Sequence, residues 1–390
     1  MPLINRFAET HASLTVIRRD LHEHPELQFD CHRTANIIAE KLREWGCDEV
    51  KTGIGQTGVV GVIKGKQSAS GKVIGLRADM DALPIFEATG LPYASKTKGK
   101  MHACGHDGHT AMLLGAAQYL CETRNFDGTA VVIFQPAEEG GGGGREMVKD
   151  GMMEEFDIQE IYGMHNWPGV PVGKFGIRPG PFFAAADLIQ IDVTGKGAHA
   201  AKPQDGVDTT VVAAHIVIAL QTISSRVANP LDPIVVSVTS FETESKAFNV
   251  IPEKVELRGT VRTLSLNMRD IAEEQIKRIA ENTASAFGAK AKVTYNRNYP
   301  VMVNHADQTN FMADVAKSVV GEQNVETNME QTMGGEDFAF MLEARPGAYI
   351  LCGNGEGAMV HHPEYNFNDE AIPTGCSLWA NIIEQGMPAA

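Results

Sequence analysis

Residues 101–110 read MHACGHDGHT and carry five side chains able to bind a divalent metal: His102, Cys104, His106, Asp107 and His109. The chain has 13 histidines and 6 cysteines among 390 residues, so this stretch is a concentration rather than a sample. Thiolate, imidazole and carboxylate are the donors that zinc-like ions take. Cys104 and His106 are two apart, and in an extended or loop segment such side chains point the same way, so both can reach one ion. His102, Asp107 and His109 are then expected to orient those ligands or to cap the helix that follows. A cysteine nucleophile with His106 as its base is the competing chemistry, but it leaves the other ligand-type residues without work.

Those residues recur where strands end. Glu138 and Glu139 follow the apolar run 129–134 and precede five glycines, 140–144. Adjacent carboxylates repel and call for a cation. One can ligate while its neighbour stays free as general base beside a metal-bound water whose hydroxide attacks a polarised carbonyl. The glycine run lacks the Lys-Ser/Thr of a phosphate loop, so it is expected to let the backbone pass something bulky beside Glu139. His165 follows the run 158–164, His361 and His362 follow the strand expected at 348–352, and Asp79 and Asp81 close the strand expected at 72–77. The aspartates suit either a ligand role or a turn cap. No Cys-x-x-Cys pair is present, and the surplus of mixed donors (Cys104, His106, Glu138, Glu139, His165, His361) fits a two-metal catalytic site better than a structural zinc.

The elements that must position these groups alternate. Helices are expected at 4–22 and from Thr34 as N-cap to Gly46 as terminator, with His22 and His24 as polar helix-end residues. Strands at 58–64, 72–77, 129–134 and 158–164 alternate with helices such as 109–121, which argues a mostly parallel sheet with helices on both faces. The carboxyl ends of its strands form one rim, where the candidate ligands can converge. From about residue 184 the order becomes β-α-β-β-α-β, a ferredoxin-like α+β arrangement. The expected organisation is an α/β domain of 1–183 and 298–390, with residues 184–297 inserted in it.

Bulk composition narrows the partners. The chain is 43% hydrophobic with a net charge of −15, which argues against nucleic acid and anionic membrane surfaces. Six scattered cysteines suggest a reducing compartment. The first 19 residues lack a signal-like apolar run, and no stretch of about 18 apolar residues is read anywhere. The expectation is a cytoplasmic protein.

Seven stretches together resemble the hippurate hydrolase and indole-acetyl-amino-acid hydrolase group of the aminoacylase and carboxypeptidase-G-like metallopeptidases. They are LHEHPEL at 21–27, RADMDALP at 77–84, HACGHDGH at 102–109, QPAEE at 135–139, GKGAHAA at 195–201, NVIP at 249–252 and HHP at 361–363. The resemblance implies that Cys104, His106, Glu139, His165 and His361 bind two divalent ions, with Glu138 as general base. His361 occupies the ligand position, and His362 stands where the group usually has Asn or Ser. It also implies that the inserted domain dimerises, giving a homodimer or dimer-based tetramer, that His199 reaches toward the substrate carbonyl, and that Asn249 touches substrate. The planar fork of Arg262 suits a substrate carboxylate.

The expected activity is hydrolysis of an N-acyl amino acid, hippurate-like or N-acetyl, to a carboxylic acid and a free amino acid. Zinc or manganese is the expected metal, with cobalt or nickel as alternatives. A dipeptidase or carboxypeptidase with the same centre is the neighbouring alternative, and a non-catalytic metal-binding protein the remote one.

Overall fold

A computed structural model describes residues 4–389. The chain forms two compact units. One comprises Met1–Gly180, Val303–Glu330 and Asp337–Ala390; the other comprises Pro181–Met302 and Gln331–Glu336. Residues 181–183, 298–302 and the loop 331–336 fall in the second unit, whereas the sequence expectation kept them with the first. For the loop the reason is backbone pairing: Ala184 N–H donates to Gly334 O and Thr332 N–H to Phe182 O.

In the first unit, α1 (Asn5–Glu23) and α2 (His32–Glu44) precede a hairpin, β1 (Glu49–Ile54) and β2 (Gly58–Lys64). Then come β3 (Val73–Asp79), α3 (His106–Thr123), β4 (Thr129–Gln135) and β5 (Glu160–Pro168). The eight-stranded sheet runs β1-β2-β4-β3-β5, then Gly347–Gly355, Phe175–Gly176 and Val325–Glu326. Its central strands β4, β3, β5 and Gly347–Gly355 are parallel, and the β1–β2 and β2–β4 pairs are antiparallel. Parallel strands covered by helices on both faces must be apolar throughout, and β3 and β4 are buried at nearly every position. β4 lies on one side of β3 and β5 on the other, so the chain reverses its direction of travel at β3. In open α/β sheets that switch point, at the carboxyl ends, is where ligands bind.

Two start signals differ from expectation. Helix α2 begins before Thr34, and its first amides are capped from a distance: Arg33 N–H and Thr34 N–H donate to the Glu26 carboxylate at 2.9 and 2.8 Å. Helix α3 begins at His106, three residues earlier than read, with Gly105 ahead of it at φ 89°. A side chain at Gly105 would fall 2.4 Å from both Asn166 Nδ2 and the Tyr365 hydroxyl, so only glycine admits this close turn.

The second unit is a four-stranded antiparallel sheet in the order Ile234–Thr243, Lys254–Thr263, Ala185–Thr194, Lys290–Tyr299. With the helices Thr209–Leu220 and Leu266–Ala286 it gives the expected β-α-β-β-α-β order. It has its own core, including Ile189, Ile191, Val212, Ile216, Leu257 and Ile276. One amendment concerns apolar runs. The helical stretch Thr209–Val227 is long and apolar enough to cross a membrane by length and composition. Its inner residues Val212, Ala213, Ile216 and Leu220 pack in this core, while Val211 and Ile218 are exposed.

Candidate metal centre and active site

Strand ends deliver the polar residues to the sheet's rim. Asp79 ends β3 opposite Gln135, which ends β4, and His165 lies late in β5. The turn after β4 carries Glu138 and Glu139, and its first member, Ala137, sits at φ 55°. His361, also at positive φ (69°), is held by its N–H donating to Ala103 O at 2.7 Å.

Three groups of donor atoms, each within 4.8 Å of one another, overlap here: Cys104, His106 and His165; Cys104, Glu139 and His361; and His106, Glu138 and Glu139. They share Cys104, His106 and Glu139 pairwise, so the donors form one continuous patch that includes Glu138. Cys104 Sγ lies 3.3 Å from His165 Nε2, and His361 Nε2 lies 3.2 Å from Glu139 Oε1. His362 stands apart from these contacts, with its Nδ1 accepting from Glu364 N–H.

The donors fit divalent ions. Neither ring nitrogen of His106 makes a hydrogen bond, nor does Glu139 Oε1, although all three are buried. They stand near other polar groups without hydrogen-bond geometry, Glu139 Oε1 at 3.2 Å from His361 Nε2 and His106 Nδ1 at 3.4 Å from Asp81 Oδ1, and divalent ions would satisfy them. His165 donates Nδ1–H to Asn166 O at 2.6 Å, which leaves Nε2 with its lone pair toward Cys104. Burial, with His109 and His106 nearby, holds the His165 pKa well below 6.5, so it is neutral, as a ligand must be. Burial, Glu139 and Glu138 push the Cys104 thiol well above 9.0. A nucleophilic cysteine needs the opposite shift. A cation among these carboxylates would reverse it. Burial opposes charge on His106, yet Asp79, Asp81 and Glu139 outweigh it and raise its pKa to about 10. The pocket is thus short of positive charge.

Cys104 is in a loop and His106 opens α3, and their donor atoms lie within 4.8 Å of one another, close enough to share one ion. The left-handed turn at Gly105 is what joins them. The other residues of the stretch divide. His109 donates Nδ1–H to Asp79 Oδ1 at 2.5 Å, and its Nε2 accepts from Asn166 N–H at 2.9 Å, so both nitrogens are spoken for. Asp107 pairs with His22 Nδ1 at 2.8 Å. His22 does stand in the last turn of α1, as expected, but it is fully buried as an ionic partner of Asp107. His102 is buried, and its pKa falls to about 4, chiefly through burial. The glycine run admits close approaches. A Cβ at Gly143 would lie 1.7 Å from Pro136 O, within the turn itself, while one at Gly141 would lie 3.1 Å from the Phe29 ring and one at Gly144 2.9 Å from Asp337 O.

Asp79 and Asp81 were open between ligand and turn cap. Burial resists the Asp79 charge, but His106, His109 and Arg77 hold its pKa well below 3.8. Arg77 also donates to Gln135 Oε1 at 2.9 Å and to Asp337 Oδ1 at 3.0 Å, tying three strand-end segments together. Asp337, Asn166 and Tyr365 were not read as site residues. Tyr365 donates to Asn166 Oδ1 and Asn166 Nδ2 donates to Cys104 O, both at 2.7 Å. Only long-range pairing reveals them.

In the second unit, His199 and Asn249 line a cavity of about 480 Å³ with Gly197, Glu244 and Pro252. A short ribbon holds them: His199 pairs with Val250, and Ala200 N–H donates to Asn249 O. Arg262 does not line that cavity; its Nε donates to Thr260 Oγ1 at 3.1 Å, and it has no ion pair among the described residues.

A family model for peptidase family M20/M25/M40 matches residues 75–385. The hippurate hydrolase of Campylobacter jejuni is 41% identical over 98% of this chain and 98% of its own. N-acetylcysteine deacetylase of Bacillus subtilis is 39% identical over 95% and 96%. The Bacillus subtilis YXEP protein, a dinuclear metal-binding peptidase of the M20 family, matches with a TM-score of 0.84 at 35% identity, covering 98% of this chain and 100% of its own. Sheet, rim and donor set thus coincide with sequence likeness over nearly the whole length, and the chain belongs to the M20/M25/M40 peptidase family of hydrolases.

Proposed function

We propose that the protein is a dinuclear metal-dependent amidohydrolase that cleaves N-acyl amino acids, hippurate-like or N-acetyl, to a carboxylic acid and a free amino acid. The observation that carries this is the set of three overlapping donor groups, one of which contains Glu138 beside Glu139. The relatives named for hippurate and N-acetylcysteine support the substrate class. Cys104, His106, Glu139, His165 and His361 would hold the two ions, which when bound acidify water and polarise the amide carbonyl. Glu138 is the general base: its buried carboxylate takes the proton from the attacking water and returns it to the leaving nitrogen. His199 and Asn249 are assigned to the substrate's amide end, and Arg262, which has no ion pair among the described residues, to its carboxylate. The first unit is the catalytic part in this reading, and the second unit, close to the expected 184–297, the dimerising lid.

Zinc or manganese is the proposed metal, on the mixed thiolate, imidazole and carboxylate donors. A homodimer is proposed because the second unit exposes Ile218, Leu231 and Phe248. A cytoplasmic location is proposed because all six cysteines are free thiols. The test is a panel of hippurate, N-acetyl amino acids and dipeptides, assayed after metal stripping and reconstitution with zinc, manganese, cobalt or nickel. Turnover of the N-acyl amino acids above the dipeptides is expected. A preference for dipeptides would make the enzyme a dipeptidase, and no turnover with any metal would leave a binding protein.

A further inference from the structure

We infer that Asp81 is a positioning residue, whose carboxylate sets the turn bearing Glu138 and Glu139 and aligns His106 with them; this rests on the base and ligand roles proposed above. Asp81 is 1% exposed and lies two residues beyond the end of β3. Its own backbone is pinned on both sides: Met80 N–H donates to Gln135 O at 2.9 Å and Ala82 N–H to Glu26 O at 2.8 Å. From that fixed place its two oxygens serve two successive amides. Oδ1 accepts from Glu138 N–H at 3.0 Å and Oδ2 from Glu139 N–H at 3.1 Å. Oδ1 also stands 3.4 Å from His106 Nδ1.

One carboxylate thus touches the backbone of the base, the backbone of one ligand and the ring of another. The turn needs such an anchor. Ala137, just ahead of Glu138, is at φ 55°, a left-handed conformation that a residue with a Cβ adopts at a cost. The two amides that follow it converge on Asp81 and hold it there. Asparagine in place of Asp81 keeps the volume but offers one acceptor oxygen, with an NH2 facing the second amide.

The test compares the full-length parent with Asp81→Asn, each stripped of metal and titrated with Mn2+ by calorimetry, alongside steady-state hydrolysis. Outer-sphere partners of metal ligands are worth about 10–100-fold in affinity. Asp81→Asn is expected to bind Mn2+ about 10–100-fold more weakly and to lose kcat by about 30-fold or more with KM within about threefold, as for a group that acts in the transition state. A folded Asp81→Asn with Mn2+ affinity within about threefold of the parent, well short of that range, overturns the role. Should the variant not fold, hydrogen exchange in the metal-free parent decides: slow exchange at the Glu138 and Glu139 amides supports the anchor, and free exchange sinks it. A parent that binds Mn2+ but hydrolyses no N-acyl amino acid defeats the substrate reading alone, because the Mn2+ titration still reports on Asp81.

Discussion

Asp187 in the second unit and Glu139 in the first are both carboxylates taken out of water, and the protein answers them differently. Asp187 accepts both nitrogens of the Arg269 fork, at 2.9 and 2.6 Å, the Tyr295 hydroxyl at 2.7 Å and Asn298 N–H at 3.2 Å. Every lone-pair direction has a donor. Glu139 has an oxygen without a hydrogen bond, and its neighbour His106 has two such nitrogens. The Asp187 cluster is complete as folded protein. The rim cluster leaves those atoms without hydrogen bonds, and divalent cations would supply the missing partners.

The sharpest way to break the contrast is Glu138→Gln. General-base loss is expected to cut kcat by about 10³-fold, roughly 4 kcal/mol of transition-state stabilisation, while metal content stays as in the parent. Full activity in a metal-loaded variant would remove Glu138 from the mechanism. Asp187→Ala is the converse. Stranding the buried Arg269 charge is expected to destabilise the second unit by about 3–5 kcal/mol in chemical denaturation, with metal stoichiometry unchanged. If metal binding falls with it, the two clusters are not independent.

A third buried pair refines the comparison through pH. Burial opposes charge on His22, but Asp107 outweighs it and raises its pKa from 6.5 to about 9. A raised folded-state value means the stabilisation is fully present below pH 6.5 and is lost as pH climbs through about 9. The loss corresponds to about 3 kcal/mol. Thermal melts of the metal-free protein from pH 6 to 10 should show it, and His22→Gln should flatten the slope. The smallest effect is on the rim itself. Divalent metal at a hundred times its Kd should add about 2.7 kcal/mol of stability to the parent and less to Cys104→Ser. An equal gain in both would count against thiolate coordination.

Much of the scaffold was legible because it is periodic. The strand at 129–134, buried on both faces, and the β-α-β-β-α-β order need only local pattern. The donor residues were legible by type, since Cys104, His106 and Glu138-Glu139 stand out chemically. What hid were pairings across long stretches of chain. His22 looks like a polar helix end until Asp107, 85 residues away, is beside it. Thr34 looks like a helix cap, while the capping is done by Glu26 from outside the helix. Asp81 looks like half of an ordinary acidic turn until the amides of Glu138 and Glu139 arrive on its oxygens. The loop 331–336 was assigned by proximity in sequence, whereas its backbone pairing with Phe182 and Ala184 decides where it belongs.

Ala137, at φ 55°, carries a further consequence for anyone evolving this enzyme. Glycine there would relieve the backbone but strip a fully buried methyl and loosen the turn that carries Glu138. A library scored on heat resistance alone reads only the first two of these, and one scored on turnover weighs the third.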